Sequence, residues 1–366
     1  MAAHALADVE WDACVLEPLR RPELEAEVRR RFGTLPTSVP YLASVPWVVR
    51  SMTDTSLFGA PPLSIPTELA ELIGLVVSQD NSCRYCFGIT RMMMRVYGMS
   101  EKQIGKLEQN FLDAEIDPRS KAALDFSRRL SRAAPRVQSS DVLALVAAGF
   151  TREEILEIAF FAVQSVYMNR LMTVSAIPFG PAERLGNSRM IRWVAPLMRR
   201  RMNQLIRRAR ERSGALEAPA APVPWGFVAR AFRGTTAARK LHETLAGAFE
   251  SSVLGARAKG LIFAVVARGL DCSRSEREAG ELLHANGFDD GRIETVLTHL
   301  GSPDLDELEA ELVPFARGTI RGRPVQLQQR TGALVARFGS ERTVEAIAIA
   351  ALANAVCRLG AVTELE

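Results

Sequence analysis

Apolar residues recur along this chain three and four positions apart, and nowhere do they alternate with polar ones over a strand-length stretch. The pattern predicts a nearly all-helical protein. Pro66-Thr67-Glu68-Leu69 sets proline and an acidic residue in a first helical turn, and the apolar run that follows ends at Asp80-Asn81-Ser82, which reads as a turn and a cap. From Cys83 the helical spacing resumes through Phe87, Ile89, the Met92-Met93-Met94 run and Val96 to Gly98, a residue able to close a helix in the left-handed conformation. Ser100 with Gln103, and Thr151 with Glu154, have capping-box spacing and open further helices. Additional helices are expected over Asp117 to Ala134, Ser139 to Ala148 and Thr151 to Ile177. The amino-terminal stretches Pro22 to Phe32 and Leu35 to Met52, the latter punctuated by proline, are expected to wrap the bundle as short helices and loops.

The pattern occurs twice. Leu72 to Cys83 reappears, much altered, as Leu261 to Cys272, and Phe150 to Leu171 matches Phe338 to Leu359 without a gap. The two matches share nearly one offset (272 minus 83 is 189; 358 minus 170 is 188), so the order and spacing of several helices recur. Ser213 to Pro224, rich in alanine and proline, reads as a semi-rigid linker. The expected organisation is an amino-terminal extension plus first bundle over 1–185, a basic connecting helix and linker over 186–224, and a second bundle over 225–366. Only the first copy carries a Cys-x-x-Cys pair, Cys83 and Cys86, with Glu71 on the preceding helix. That implies one working site and one degenerate structural partner.

Composition narrows the class. At 366 residues and 48% apolar, the chain can bury substantial cores. A formal charge of +4 is too slight to imply a general nucleic-acid partner. Five scattered cysteines do not form a secreted disulfide framework, and the first residues lack a basic region followed by an apolar core; a reducing cytoplasm is the expected home. Ile158 to Met168, interrupted at Gln164, is too short to span a bilayer and reads as a buried helix. One segment departs from the average: from Arg184 to Arg212, ten arginines stand against Glu211 alone, interleaved with apolar residues. This amphipathic stretch is read as a connecting helix with solvated arginines, broken or kinked early by Pro196. Contact with anionic lipid or nucleic acid is the other use of such a segment.

The dithiol carries the chemistry. Unmatched N–H groups and the dipole at a helix start favour a thiolate, so both sulfurs benefit, Cys83 most directly. Two intervening residues on a helical turn allow the sulfurs to close a disulfide after one is oxidised. Glu71, in the middle of an apolar helix, has its pKa raised by desolvation and becomes a candidate proton acceptor. Neither a second cysteine pair nor a nearby histidine completes a zinc site, so no metal is expected. The bland alternatives are an inert pair packed as small hydrophobes, and a methionine run that fills core. Asn169-Arg170 reads as structural, since Arg358 keeps the arginine where the dithiol is lost. Cys14, Cys272 and Cys357 read as simple core or surface thiols.

Glu71, Cys83-x-x-Cys86, the helix ending in Tyr97-Gly98-Met99-Ser100, and the Gly149 to Arg170 helix together resemble the carboxymuconolactone decarboxylase family, most closely its AhpD-like, alkylhydroperoxidase-related branch. The resemblance covers residues 35–180 well and 240–366 weakly. It implies an all-α fold of tandem AhpD-like bundles, with no metal or organic cofactor, and a homo-oligomer in which three chains rebuild a six-domain assembly. It further implies Cys86 as the thiol that attacks a peroxide, Cys83 as the resolving thiol and Glu71 as the base, turned over by an external dithiol reductant. The relay histidine of that branch falls at Thr90 here, and none of His4, His242, His284 and His299 is near the pair in sequence. A hydroxyl does not titrate near neutrality, so peroxidase action is expected to be slow or redirected, towards disulfide exchange for example. The other readings are a cofactor-free decarboxylase or isomerase of the same family, and a non-catalytic assembly or docking protein.

Overall fold

The computed structural model describes residues 6, 8–181, 184, 191–213 and 216–365; His4 and positions 185–190 of the basic segment lie outside the described residues. Among them there are eighteen helices and no strand. Three short helices, α1 (Pro22–Phe32), α2 (Ser38–Leu42) and α3 (Pro46–Asp54), precede the first bundle. That bundle comprises α4 (Thr67–Asp80), α5 (Arg84–Val96), α6 (Glu101–Asn110), α7 (Pro118–Ser131), α8 (Ser139–Ala147) and α9 (Arg152–Val174). The basic helix α10 (Ile191–Arg212) leads to α11 (Gly226–Ala231) and α12 (Ala237–Glu250). The second bundle follows as α13 (Ala256–Gly269), α14 (Ser273–His284), α15 (Asp290–His299), α16 (Glu307–Arg321), α17 (Pro324–Phe338) and α18 (Ser340–Thr363).

Local chemistry sets the boundaries. Both expected capping boxes form: Ser100 and Gln103 satisfy each other's backbone N–H at the start of α6, as do Thr151 and Glu154 at the start of α9. Gly98, at φ 93°, follows α5, and Gly287, at φ 89°, follows α14. Pro196 was expected to break or kink the basic helix, and α10 continues through it without a break. Its position near the start of the helix removes only a single intrahelical N–H bond, and the apolar face of α10 packs on α5.

The two bundles meet along α9 and α18. Each is buried on nearly all sides, which explains why neither sequence is amphipathic. By length and composition α18 could cross a membrane, but 94% of its apolar window is buried inside the fold, so it is a core helix here. The arginines of the two copies are exchanged across this contact. Arg170 Nη2 donates to the carbonyl of Ile320 at 3.0 Å, and Arg358 Nε donates to the carbonyl of Ser131 at 3.2 Å, at the ends of α16 and α7 respectively. Gln328 and Thr331 on α17 donate to the last carbonyls of α9, Thr173 at 2.8 Å and Val174 at 3.0 Å.

Carboxylates near the start of the same two helices hold the loops that enter each bundle. Glu157 accepts N–H bonds from Leu63, Ser64 and Ile65 at 2.7, 2.9 and 2.9 Å. Glu345, at the matching place on α18, accepts from the indole of Trp47 at 2.8 Å and from the backbone of Leu254. Glu157→Ala removes the acceptor of three backbone donors, of which the Ile65 N–H is buried, and is expected to lower the unfolding free energy by about 2 kcal/mol. Urea denaturation checks this, and an unchanged midpoint would contradict it.

Candidate active site

Ser82 adopts a left-handed φ of 54°, and the turn it makes delivers Cys83 to the N-cap of α5. A cap residue normally offers a side-chain oxygen to the first free N–H groups of the helix. Here sulfur does so: Cys83 Sγ accepts the N–H of Cys86 at 3.3 Å. This arrangement puts Cys86 in the first turn. Cys83 has no exposed surface, whereas Cys86 is partly exposed, and both are reduced.

Cys86, Glu71 and Thr90 line one cavity of about 180 Å³, and Cys83 does not reach it. The close approach of α4 and α5 makes this possible. A Cβ added at Gly74 would lie 3.0 Å from the Thr90 methyl, so glycine lets the helices meet there, one turn beyond Glu71, without displacing Thr90. The Thr90 hydroxyl donates to the carbonyls of Cys86 and Phe87, both at 3.1 Å, so its proton is engaged by the backbone. Polar residues of α9 that the sequence reading did not assign to the site complete the wall: Gln164, noted only as an interruption, Ser165, and Asn169, read as structural. Their signal was present as polar interruptions of an otherwise apolar helix. Asn169 Oδ1 accepts from Ser78 at 3.0 Å, while its Nδ2, fully buried, finds no acceptor. His242, His284 and His299 belong to helices of the second half, and none lines the cavity.

The electrostatics of the two sulfurs differ. Burial pushes the Cys83 thiol up, but its hydrogen bonding with Cys86, the nearby Thr173 side chain and the charge of Arg170 outweigh it, and its pKa falls below the usual thiol value. Cys86 goes the other way, driven well up by burial and by the neighbouring Cys83 sulfur. The backbone N–H groups at the helix start lower both thiols, as the sequence suggested, but only for Cys83 do the lowering influences prevail over burial. Desolvation lifts the Glu71 carboxyl to about 8, so at neutral pH it is mostly protonated and close to a thiol in acidity. Desolvation thus makes Glu71 a far better proton acceptor for the Cys86 thiol than an ordinary carboxylate.

A second, larger cavity of about 450 Å³ adjoins the first and shares Tyr85, Ile89 and Met168 with it. Tyr85 stacks on Phe179 with ring centroids 5.3 Å apart. The methionine run, read as core filling, divides: Met94 is buried in the core, while Met92 and Met93 line this cavity opposite Met198 and Met202 of α10. A flexible, polarisable wall of this kind suits an apolar guest.

No family model matches the chain, and no curated protein matches it. Among solved structures it is similar to an alkylhydroperoxidase AhpD core, described as an uncharacterised peroxidase-related protein, from Ralstonia eutropha JMP134. That match has 23% identity and a TM-score of 0.42, over 48% of this chain and 98% of that one. It is also similar to an uncharacterised peroxidase-related protein from Silicibacter sp. TM1040, at 20% identity and a TM-score of 0.40, over 48% of this chain and 96% of that one.

Glu71 links the site to stability. Its folded value of about 8 lies above the ordinary 4.5, so the folded state holds an extra proton between those limits and stability falls as pH rises through them. Glu71→Gln removes that slope. Melting temperatures of the variant and the parent chain should diverge with increasing pH in the variant's favour and run parallel above about 8. Parallel curves throughout would contradict the assignment.

Proposed function

We propose that this chain is a thiol-dependent oxidoreductase that reduces hydroperoxides at Cys86, as its AhpD-like sequence features imply. The observation that carries the reading is a shared cavity: the Cys86 thiol and the enclosed Glu71 carboxyl face the same space, with the Cys83 sulfur bonded to the Cys86 N–H behind them. Ionised Glu71 takes the Cys86 proton, and the resulting thiolate attacks the terminal peroxide oxygen. The O–O bond breaks, Cys86 becomes a sulfenic acid, and the alkoxide leaves as an alcohol with a proton returned from Glu71. Cys83, already inclined to carry negative charge, then displaces hydroxide from the Cys86 sulfur and closes the disulfide. Two thiols are oxidised and one hydroperoxide is reduced. An external dithiol restores the pair by exchange.

Thr90 marks the weak point of this sequence. Its proton is held by backbone carbonyls, so it offers lone pairs only and no titrating group between Glu71 and Cys86. A slow peroxidase, or one whose principal traffic is disulfide exchange, fits that wall. The pairing of two bundles within one chain further supports assembly of three chains into a six-domain oligomer.

Organic hydroperoxide should link Cys83 to Cys86 in a peptide map of the intact chain. Cys86→Ser should abolish its consumption, and Cys83→Ser should leave a sulfenic acid on Cys86 that dimedone captures. Thr90→His should raise the rate by on the order of tenfold or more. Unchanged thiols, or cysteine variants that behave as the parent, would reject the proposal; turnover of lactone acids with both thiols alkylated would favour the lyase reading instead.

A further inference from the structure

The second bundle repeats the turn that builds the site. Asp271, at φ 53°, takes the place of Ser82, and Cys272 precedes α14 as Cys83 precedes α5. At the position of Cys86 stands Ser275, whose Oγ is hydrogen-bonded to the Cys272 sulfur at 3.3 Å. The lost thiol has a counterpart elsewhere. At the position of Asn169, next to the exchanged arginine, α18 carries Cys357. Gly360, one turn further along α18, comes so close that a Cβ added there would lie 3.5 Å from Cys272 Sγ. Both cysteines are reduced and each is 1% exposed.

We propose that Cys272 and Cys357 form a second redox-active dithiol, its partner sulfur moved from the capped helix to the long central one, with hydrogen peroxide as its oxidant. This inference does not depend on the reading of the first bundle.

Three features support it. The Cys357 side chain, on the stretch of α18 that approaches the Cys272 sulfur, and the Ser275 hydroxyl outweigh burial to hold Cys272 down to about 6, so Cys272 is largely a thiolate at neutral pH. Cys357 is pushed well up by burial and by that same neighbour, so it keeps its proton. A proton donor and a proton acceptor are therefore joined in one pair of sulfurs. The third feature is access: Cys357 lines a void of about 20 Å³ between the two halves, walled by Arg136 and Arg358. That volume admits a water-sized guest, which hydrogen peroxide approximates and a bulky organic hydroperoxide does not.

The chemistry balances. As the Cys357 sulfur takes one peroxide oxygen the O–O bond breaks, and the departing hydroxide takes the Cys357 proton and leaves as water. The Cys272 thiolate then displaces hydroxide from the Cys357 sulfenic acid, and the S–S bond forms. Two thiols are oxidised and one hydrogen peroxide is reduced, with hydroxide taking its proton from solvent. The new bond would tie the start of α14 to α18 beside the contacts that join the halves, where Arg136 donates to the carbonyl of Asp271 at 2.7 Å.

The test uses the full chain carrying Cys83→Ser and Cys86→Ser, so that failure of the first-bundle proposal leaves its outcome untouched. After hydrogen peroxide, non-reducing peptide mapping should show the Cys272 peptide joined to the Cys357 peptide, and the intact mass should drop by a pair of hydrogens. Cumene hydroperoxide should leave both thiols free, and Cys357→Ser in the same background should prevent the link. Free thiols after hydrogen peroxide, or oxygen added without a cross-link, would overturn the dithiol. Linkage by cumene hydroperoxide at a similar rate would overturn the assigned oxidant. The same map on the unsubstituted chain decides the matter should the variant fold poorly.

Discussion

Two helices that are apolar on every side cannot face water, and this chain contains one in each half. Burying α9 against α18 solves both problems together, and the rest of the architecture is arranged around that contact. The repeat becomes intelligible on these terms. Each bundle supplies a long central helix, an arginine that crosses to a carbonyl of the other bundle, and a carboxylate that fastens the entering loop. None of these features requires a working site. They persist in the copy that has lost its Cys-x-x-Cys, which explains why Arg358 remains where Cys86 has no counterpart.

The candidate site occupies the outer side of α9, where α4 and α5 lean on it. Its chemistry follows from a small inversion at one turn: sulfur replaces oxygen as the cap of α5. Capping draws negative charge onto the enclosed Cys83 and leaves Cys86, the sulfur in reach of a guest, protonated. A base in the cavity is then needed, and Glu71 has its acidity weakened by desolvation to nearly that of a thiol. The division of labour between the two sulfurs is thus set by which of them the helix end can reach.

Much of the fold was legible in the sequence because helix boundaries are local matters. Proline at a first turn, capping boxes at Ser100 and Thr151, and the glycine at 98 act over a few residues and leave clear marks. Pro196 left a break and a kink both open for the opposite reason: packing of α10 on α5 carries the helix past one missing hydrogen bond, and packing is not local. The site was half legible. Cys83, Cys86 and Glu71 were marked by their spacing and chemistry and Thr90 by the family resemblance, and three of the four share a cavity that Cys83 does not reach. Gln164, Ser165 and Asn169 were not assigned to the site because the groups they face are distant in sequence. The pairing of Cys272 with Cys357 was invisible for that same reason, since nothing local connects a cap on α14 with the middle of α18.

The central claim is that Cys86 meets the oxidant and Glu71 takes its proton. The most direct measurement is the pH dependence of the second-order rate at which an organic hydroperoxide oxidises Cys86, followed under single-turnover conditions. The account predicts a rate that climbs with pH to an inflection near the Glu71 value of about 8, and loss of that inflection in the Glu71→Gln chain. An identical profile in both chains would contradict it.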